Sequence, residues 1–340
     1  MSAYSSTDIN DIAEKVSTYG RISNVLGADL SRDVNTLNLA YRFIDLVEDT
    51  RGLENRDNSF NILKDVILHI NNSNFLSYLD GLKFLSEEIL DLIDKNDIQS
   101  FEVTKKYNII FSSLFNLDSK IKNVFQKKSL EMIDGMSYFK NKIFAKNGEF
   151  IESFEEFDTY CNAVAGSVGV NLTSLFSFHS KNKSDYYMFL LQNNNGNRFN
   201  LAEQTGIFLQ YANIISDREK DKVNGQTFWP SSDSTVYSQE SLDNMINQSF
   251  KYLKGSFDYV KSLPKSSLNL KSVENRIRGF SALGILKYAY ELINIRESDD
   301  VLMKDLSDYQ KEVIKHEAIK ISFSNYYTSK VEEKILWSLS

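Results

Sequence analysis

Two short stretches carry residues whose types and spacing suit metal-assisted chemistry. In Gln210–Asp221, Q-Y-A-N-I-I-S-D-R-E-K-D, steps of three and four residues place Gln210, Asn213, Asp217 and Asp221 on one stripe of a helix. Tyr211, Ala212, Ile214 and Ile215 occupy the other side of the same turns. An amide oxygen followed by two carboxylates, one turn apart, is an all-oxygen donor set. It suits a hard cation such as Mg²⁺, which keeps several waters and bridges to phosphate. Gln210 and Asn213 have apolar neighbours and are expected to lie deep, whereas Arg218, Glu219, Lys220 and Lys222 read as exposed. The second stretch is Asp45-Leu-Val-Glu-Asp49, where Asp45, Glu48 and Asp49 stand at i, i+3 and i+4 and share a face. The surrounding Leu39, Ala40, Tyr41, Phe43, Ile44, Leu46 and Val47 leave little polar surface. The three carboxylates are therefore expected to face a cavity, where like charges need cations. Arg42, one turn earlier, is a charge-assisted donor for a phosphate oxygen. Glu87, Asp91 and Asp94 repeat the spacing on an ordinary amphipathic helix and read as solvated surface, so spacing alone does not make a site.

A third stretch, Tyr160-Cys-Asn-Ala-Val-Ala-Gly-Ser-Val-Gly169, puts Ala163, Ala165, Gly166 and Gly169 inside a helix. Each mid-helix glycine lowers helix propensity by about 1 kcal/mol. Close helix packing, a kink, or room for a ligand must compensate. Gly166-Ser-Val-Gly169 has no preceding strand and is not a dinucleotide fingerprint.

The elements that position these residues are helices. Two prolines and fourteen glycines in 340 residues are few, as expected of a chain that is mostly helix interior. Periodicity and capping signals predict helices over about 7–17, 33–50, 58–70, 73–93, 102–115, 119–144, 154–178, 201–222, 238–262, 270–295 and 305–338. Breaks fall near Asn147-Gly148, in a polar loop from Ser180 to Asn200, in a Ser/Asp-rich turn after Pro230, and at Pro264. Neither a repeat nor a composition shift marks a boundary, so residues 1–340 read as one all-α domain.

Composition narrows the function classes. A net charge of −7 disfavours general nucleic-acid binding. The single cysteine, Cys161, excludes an internal disulfide framework and fits a reducing compartment. His69, His179 and His316 are too scattered for a zinc site. No run reaches the ~18 apolar residues of a membrane span, and the N-terminus has no secretory pattern. The expected location is cytoplasmic, or peripheral on a cytoplasmic membrane face.

Taken together and in order, the acidic helix, the Y-C-x-x-V-A-G-x-V-G helix, and L-Q-x-x-N-I-I-x-D-x-x-x-D followed by Phe228-Trp229-Pro230 resemble the squalene and phytoene synthase family. The resemblance spans roughly residues 17–290, and the F-W-P tail looks more like the squalene synthase branch. It implies an all-α isoprenoid (terpenoid) synthase-type helical bundle around a central cavity, with two acidic helices facing each other. It also implies Mg²⁺ bound by Asp45, Glu48, Asp49, Asn213, Asp217 and Asp221. The implied reaction joins two farnesyl diphosphates head to head through presqualene diphosphate, a cyclopropylcarbinyl diphosphate, with NADPH then reducing the final cation to squalene. Tyr160 matches the family tyrosine that handles the cation or proton, alongside Asp45, Asp49, Asp217 and Asp221 as catalytic residues. Arg42, Gln210, Ala165, Gly166 and Gly169 are the implied substrate-binding residues, and Asn213 and Phe228 the implied NADPH contacts. The expected protein is a monomer that meets a prenyl diphosphate and touches a membrane at most peripherally.

The chain departs from the family pattern at charged positions. The first-helix S-R-S-F looks like Val16-Ser17-Thr18-Tyr19, replacing an arginine by Ser17. Asn38 stands where the family has tyrosine, Ser216 and Gln226 where it has arginines, Lys220 where it has glutamate, and Asn171 at a frequent glycine. Arg218 is rotated about 200° round the helix from Ser216 and does not take its place. Arg276 and Arg278 are candidates for replacement charge. These departures leave two rival expectations open. One is a diverged enzyme giving an unreduced, presqualene or single-substrate terpene product; the other is a non-catalytic prenyl-diphosphate-binding protein.

Overall fold

The computed structural model describes residues 6–50, 52, 53, 55–145, 151–180, 197–223, 228–230, 238–266, 271–298 and 305–339. The expected breaks at Asn147-Gly148 and after Pro230, most of the polar loop, and Gln226 lie outside the described residues. The described residues form helices and turns with no strand, as the composition implies. No helix among them is long and apolar enough to cross a membrane. The chain divides into two compact units, one of residues Met1–Tyr138 and Asn171–Tyr186, the other of Phe139–Val170 and Tyr187–Ser340.

The first unit is built on helix α3 (Ala28–Asp49), which packs against α1 (Ser6–Val16), α4 (Arg56–Leu68), α6 (Ile98–Lys105) and α7 (Tyr107–Phe115). Helix α2 (Thr18–Ile22) precedes α3, and α5 (Leu79–Leu92) packs on α4, α6 and α7. Gly27, at φ 88°, starts α3 in a backbone region that a side chain would strain. Leu37, Leu39, Ala40, Phe43, Ile44 and Val47 are completely buried, so α3 is apolar almost all round and lies within the unit rather than on it. Phe43 meets Phe111 edge-on with ring centroids 5.4 Å apart. Tyr41 lies 5.2 Å from Phe125, and its hydroxyl accepts from Asn171 Nδ2 at 2.8 Å.

The second unit is built on helix α11 (Asn197–Val223). It packs against α9 (Phe154–Cys161), α12 (Gln239–Ser262) and α13 (Val273–Ser298). Helix α14 (Asp308–Phe323) lies on α13, and α15 (Asn325–Leu339) on α12, α13 and α14. The remaining helices are α8 (Ser119–Ala145) and α10 (Ser167–His179).

Three stretches expected as single helices are interrupted. Residues 102–115 divide at Lys106, whose φ −103° and ψ 15° end α6. Residues 305–338 divide at Ser324, which is extended at φ −148° and ψ 126°. Residues 154–178 stay helical but widen into a π turn over Asn162–Gly166, between α9 and α10. That turn rests on α11. A Cβ on Gly206 would lie 2.2 Å from the Ala165 carbonyl oxygen, and one on Gly169 would lie 2.3 Å from that of Ala202. Close packing of backbone on backbone therefore accounts for the small residues at both crossings.

Arg278 corrects an expectation. It is completely buried on α13 and donates to the carbonyls of Val260, Leu263 and Ile321 at 2.6, 3.0 and 3.1 Å, and to Asn325 Oδ1 at 2.9 Å. These are groups at the C-terminal ends of α12 and α14 and the start of α15. The guanidinium fork satisfies helix-end carbonyls and complements both dipoles, so it is not available to bind an anionic ligand. Burial pulls its pKa down to about 10.

Candidate functional site

In the first unit α3 carries the Asp45, Glu48 and Asp49 triplet, and the three carboxylates do not share one environment. Asp45 is one-third exposed and pairs with Arg42, with Nη1 to Oδ2 at 3.3 Å. Glu48 is buried at 2% exposure, and Asp49 is exposed. The expectation of three acids facing one cavity is thus corrected, because a helix buried nearly all round leaves i+3 and i+4 on opposite sides of its burial boundary. Arg56, in the first turn of α4, stands beside this group. Its Nη2 donates to the Thr50 carbonyl at 2.6 Å. Burial lowers its pKa, while the negative charges of Glu48 and Asp49 push it back up. Sequence reasoning missed Arg56. The available signal was a basic residue at a helix N-terminus, where the dipole disfavours it.

In the second unit α11 carries the oxygen stripe. Tyr211, Ala212, Ile214 and Ile215 are buried, as expected. Gln210, Asp217 and Asp221 are partly exposed and Asn213 is exposed, so the expectation that Asn213 lies deep is corrected. The reason is angular: Asn213 lies 200° from both Tyr211 and Ile215, directly opposite the packed side. The helix thus offers one amide and two carboxylates on an accessible stripe backed by core. Arg218, expected to be exposed, is 8% exposed and lies over the Trp229 ring at 5.4 Å.

Tyr160, 3% exposed, sits in an aromatic layer of this unit. It stacks on Phe228 with centroids 5.2 Å apart and planes at 15°, and Phe139 meets it edge-on at 5.3 Å. Lys140, 5% exposed, lies 5.4 Å over the Phe228 ring. Phe228, implied as a cofactor contact, is buried, with Tyr160 stacked on it and Lys140 over its ring. Lys140 was missed. It follows Ile133 and Met136 on the apolar i, i+3, i+7 stripe of α8, and a lysine continuing such a stripe is the signal. Tyr211 donates to Asp158 Oδ1 at 2.6 Å, and burial with this carboxylate pushes its phenol well up. Cys161 is buried and its thiol is raised far above the ordinary range, which makes it an inert packing residue.

Several departures from the family pattern are paired with neighbours. Asn38 bonds Ser17, and Asn171 bonds Tyr41. Among the described residues, no three His, Cys, Asp or Glu side chains are grouped so as to hold a metal ion. The donor chemistry nonetheless fits Mg²⁺, since the α11 stripe and the α3 triplet offer only oxygen.

A family model described as Squalene/phytoene synthase matches residues 14–267. The squalene synthase of Schizosaccharomyces pombe is 30% identical over 125 residues, 37% of this chain and 25% of that protein. Squalene synthase ERG9 of Saccharomyces cerevisiae is 24% identical over 231 residues, 67% and 46% of the two chains. Human squalene synthase is 28% identical over 213 residues, 63% and 43%. These matches span from a quarter to less than half of the curated relatives' length. The solved structure of TcSQS in complex with the ligand E5700 shares the fold, with a TM-score of 0.74 at 19% identity over 98% of this chain and 90% of that one.

Proposed function

The chain belongs to the squalene/phytoene synthase family, and from that premise we propose that it is a Mg²⁺-dependent prenyltransferase joining two farnesyl diphosphates head to head. One observation carries the reading furthest. In a family member, α11 keeps Asn213, Asp217 and Asp221 on an accessible stripe while its opposite side is fully packed. In the first unit, Asp45, Glu48 and Asp49 are a second set of oxygen donors. Mg²⁺ held by such oxygens would neutralise charge on a leaving diphosphate.

The chain's own residues supply the rest. Arg42, now paired with Asp45, is the cation within reach of a diphosphate oxygen once that pair opens. Tyr160 presents its ring from a buried aromatic layer, where water that would quench an allylic cation is excluded. Gln210 extends the polar stripe one turn toward the N-terminus of α11.

A second reading has its own support. Ser17, Asn38 and Ser216 replace an arginine, a tyrosine and an arginine of the family pattern, which thins the charge available for a second diphosphate. That favours an enzyme that stops at presqualene diphosphate or releases an unreduced or single-substrate product. Incubation with farnesyl diphosphate and Mg²⁺, with and without NADPH, separates the two. Squalene formed only with NADPH supports the complete reaction. Presqualene diphosphate, or an NADPH-independent hydrocarbon or alcohol, supports the truncated one. Absence of diphosphate release from every prenyl substrate would leave a binding protein and sink both.

A further inference from the structure

Phe228 and Trp229 are consecutive aromatic residues, and each lies beneath a buried cation. Lys140 Nζ stands 5.4 Å over the Phe228 ring, and the Arg218 guanidinium carbon stands 5.4 Å over the Trp229 ring. Both cations are more than nine-tenths buried. They come from different helices, α8 and α11. Removing a lysine or an arginine from water is unfavourable unless a partner compensates. A ring face contributes to this through its quadrupole, most strongly when the pair is desolvated, and for Arg218 the Glu219 carboxylate adds to it, with Nε to Oε1 at 3.9 Å. The Trp229 indole N–H also donates to Ser241 Oγ on α12, so this ring is held from its face and from its edge.

The consequence reaches the proposed reaction centre. Phe228 is the ring on which Tyr160 stacks, at 5.2 Å and 15°, while Phe139, next to Lys140 on α8, closes the edge of Tyr160. Lys140, Phe228 and Tyr160 are thus linked in sequence, cation to ring to ring. α11 keeps an arginine two residues beyond Ser216, but it is turned to the aromatic layer instead of the oxygen stripe.

We propose that Lys140 and Arg218 are positioning residues: each fixes one ring of the Phe228–Trp229 pair, and Lys140, acting through Phe228, sets the plane of Tyr160. The catalytic half of this inference rests on the prenyl-transfer reading above. The structural half does not.

The chain has two tryptophans, Trp229 at 2% exposure and Trp337 at 81%. Trp337→Phe therefore leaves Trp229 as the sole reporter. In that background, Lys140→Met and Arg218→Met are compared with the parent by acrylamide quenching of Trp229 and by thermal unfolding. Steady-state kinetics with farnesyl diphosphate and Mg²⁺ complete the comparison. Both variants are expected to at least double the quenching constant while remaining folded. Lys140→Met is expected to lower kcat by about tenfold with KM nearly unchanged, as misplacement of a reacting group requires. Lys140→Arg, which keeps a cation over Phe228, is expected to restore kcat. Parental quenching in both methionine variants overturns the ring clamp. Altered quenching with parental kcat, or a change confined to KM, overturns the positioning role. Should Lys140→Met fail to fold, Lys140→Arg decides: parental kcat upholds the inference and a tenfold loss overturns it. A parent that releases no diphosphate overturns the prenyl-transfer reading and the catalytic half with it, while the quenching measurement still judges the clamp.

Discussion

Asn38 Nδ2 donates to Ser17 Oγ at 2.9 Å. Both positions depart from the family pattern, one from tyrosine and the other from arginine, and here they satisfy each other. Ser17 Oγ also accepts from the Gly20 N–H at 2.9 Å, capping α2. The two changes form one unit: the serine gains a structural role when the arginine is lost, and the asparagine supplies its second hydrogen bond.

That coupling predicts non-additive behaviour. Ser17→Arg alone removes the cap and the hydrogen bond and is expected to destabilise by about 1–2 kcal/mol. Ser17→Arg combined with Asn38→Tyr is expected to cost less than the sum of the single changes. On the proposed function it lowers KM for farnesyl diphosphate by about tenfold, one added charge-assisted contact. Urea denaturation of the four proteins of the cycle, with steady-state kinetics, checks both. Strict additivity with an unchanged KM would show the positions to be independent.

The acidic residues divide by burial, and their variants should divide in the same way. Asp49 is exposed and Asp217 partly exposed, so Asp49→Ala and Asp217→Ala are expected to change stability by only about 0.5 kcal/mol. Each should lower Mg²⁺-dependent diphosphate release by about 10²–10³-fold. Glu48 is buried beside the Arg56 charge, so Glu48→Ala should destabilise by about 3 kcal/mol as well. Circular dichroism, chemical denaturation and a pyrophosphate-release assay separate the two classes. Full Mg²⁺-dependent activity in both aspartate variants would disprove the metal assignment.

What the sequence made legible follows from periodicity. The packed side of α11, Tyr211, Ala212, Ile214 and Ile215, was readable because step-and-face geometry is local. The helical class was readable because glycine and proline are scarce. Asn213 was misplaced because its apolar chain neighbours lie on the opposite side of the helix. Arg278, Arg218 and Lys140 were misjudged or missed because a cation's fate depends on partners distant in sequence: carbonyls 15–43 residues away for Arg278, and an aromatic ring for each of the others. Residue type alone predicts solvent for such side chains. The glycines of the third motif were readable as needing compensation. Only the structure shows that α11 backbone supplies it.

Stability should fall steeply at alkaline pH, and tyrosines set the sign. The Tyr41 phenol is raised chiefly by burial, and that of Tyr211 by burial and then by Asp158. In the unfolded chain both titrate near pH 10. Above that pH the unfolded state has lost protons that the folded state still holds, so it is favoured as pH rises. The stabilisation is fully present below about pH 10 and is lost progressively above it, at about 1.4 kcal/mol per pH unit for each tyrosine. Tyr211→Phe should lower the slope by one such unit. Urea denaturation between pH 9 and 11 measures it, and an unaltered slope in Tyr211→Phe would exclude Tyr211 as a contributor.

Gly206 and Gly279 lie inside adjacent helices of the second unit, and equal chemistry should give opposite results. A Cβ on Gly206 would stand 2.2 Å from the Ala165 carbonyl oxygen and 2.8 Å from the Gly166 nitrogen, all backbone, with no flexible side chain to yield. Gly206→Ala must therefore push α11 off the π turn. It is expected to destabilise by about 3 kcal/mol or more, at the upper end of overpacking, against a propensity gain of about 1 kcal/mol. A Cβ on Gly279 would meet the Ser322 Cβ at 3.6 Å, an ordinary contact. Gly279→Ala keeps the propensity gain and should stabilise by about 0.4–1 kcal/mol. On the proposed function, Gly206→Ala should also lower turnover at temperatures where it remains folded, because Asn213 and Asp217 continue the Gly206 face of α11, seven and eleven residues further on. Chemical denaturation of both variants tests the packing claim. A Gly206→Ala protein as stable as the parent would show that the crossing is looser than its backbone distances require.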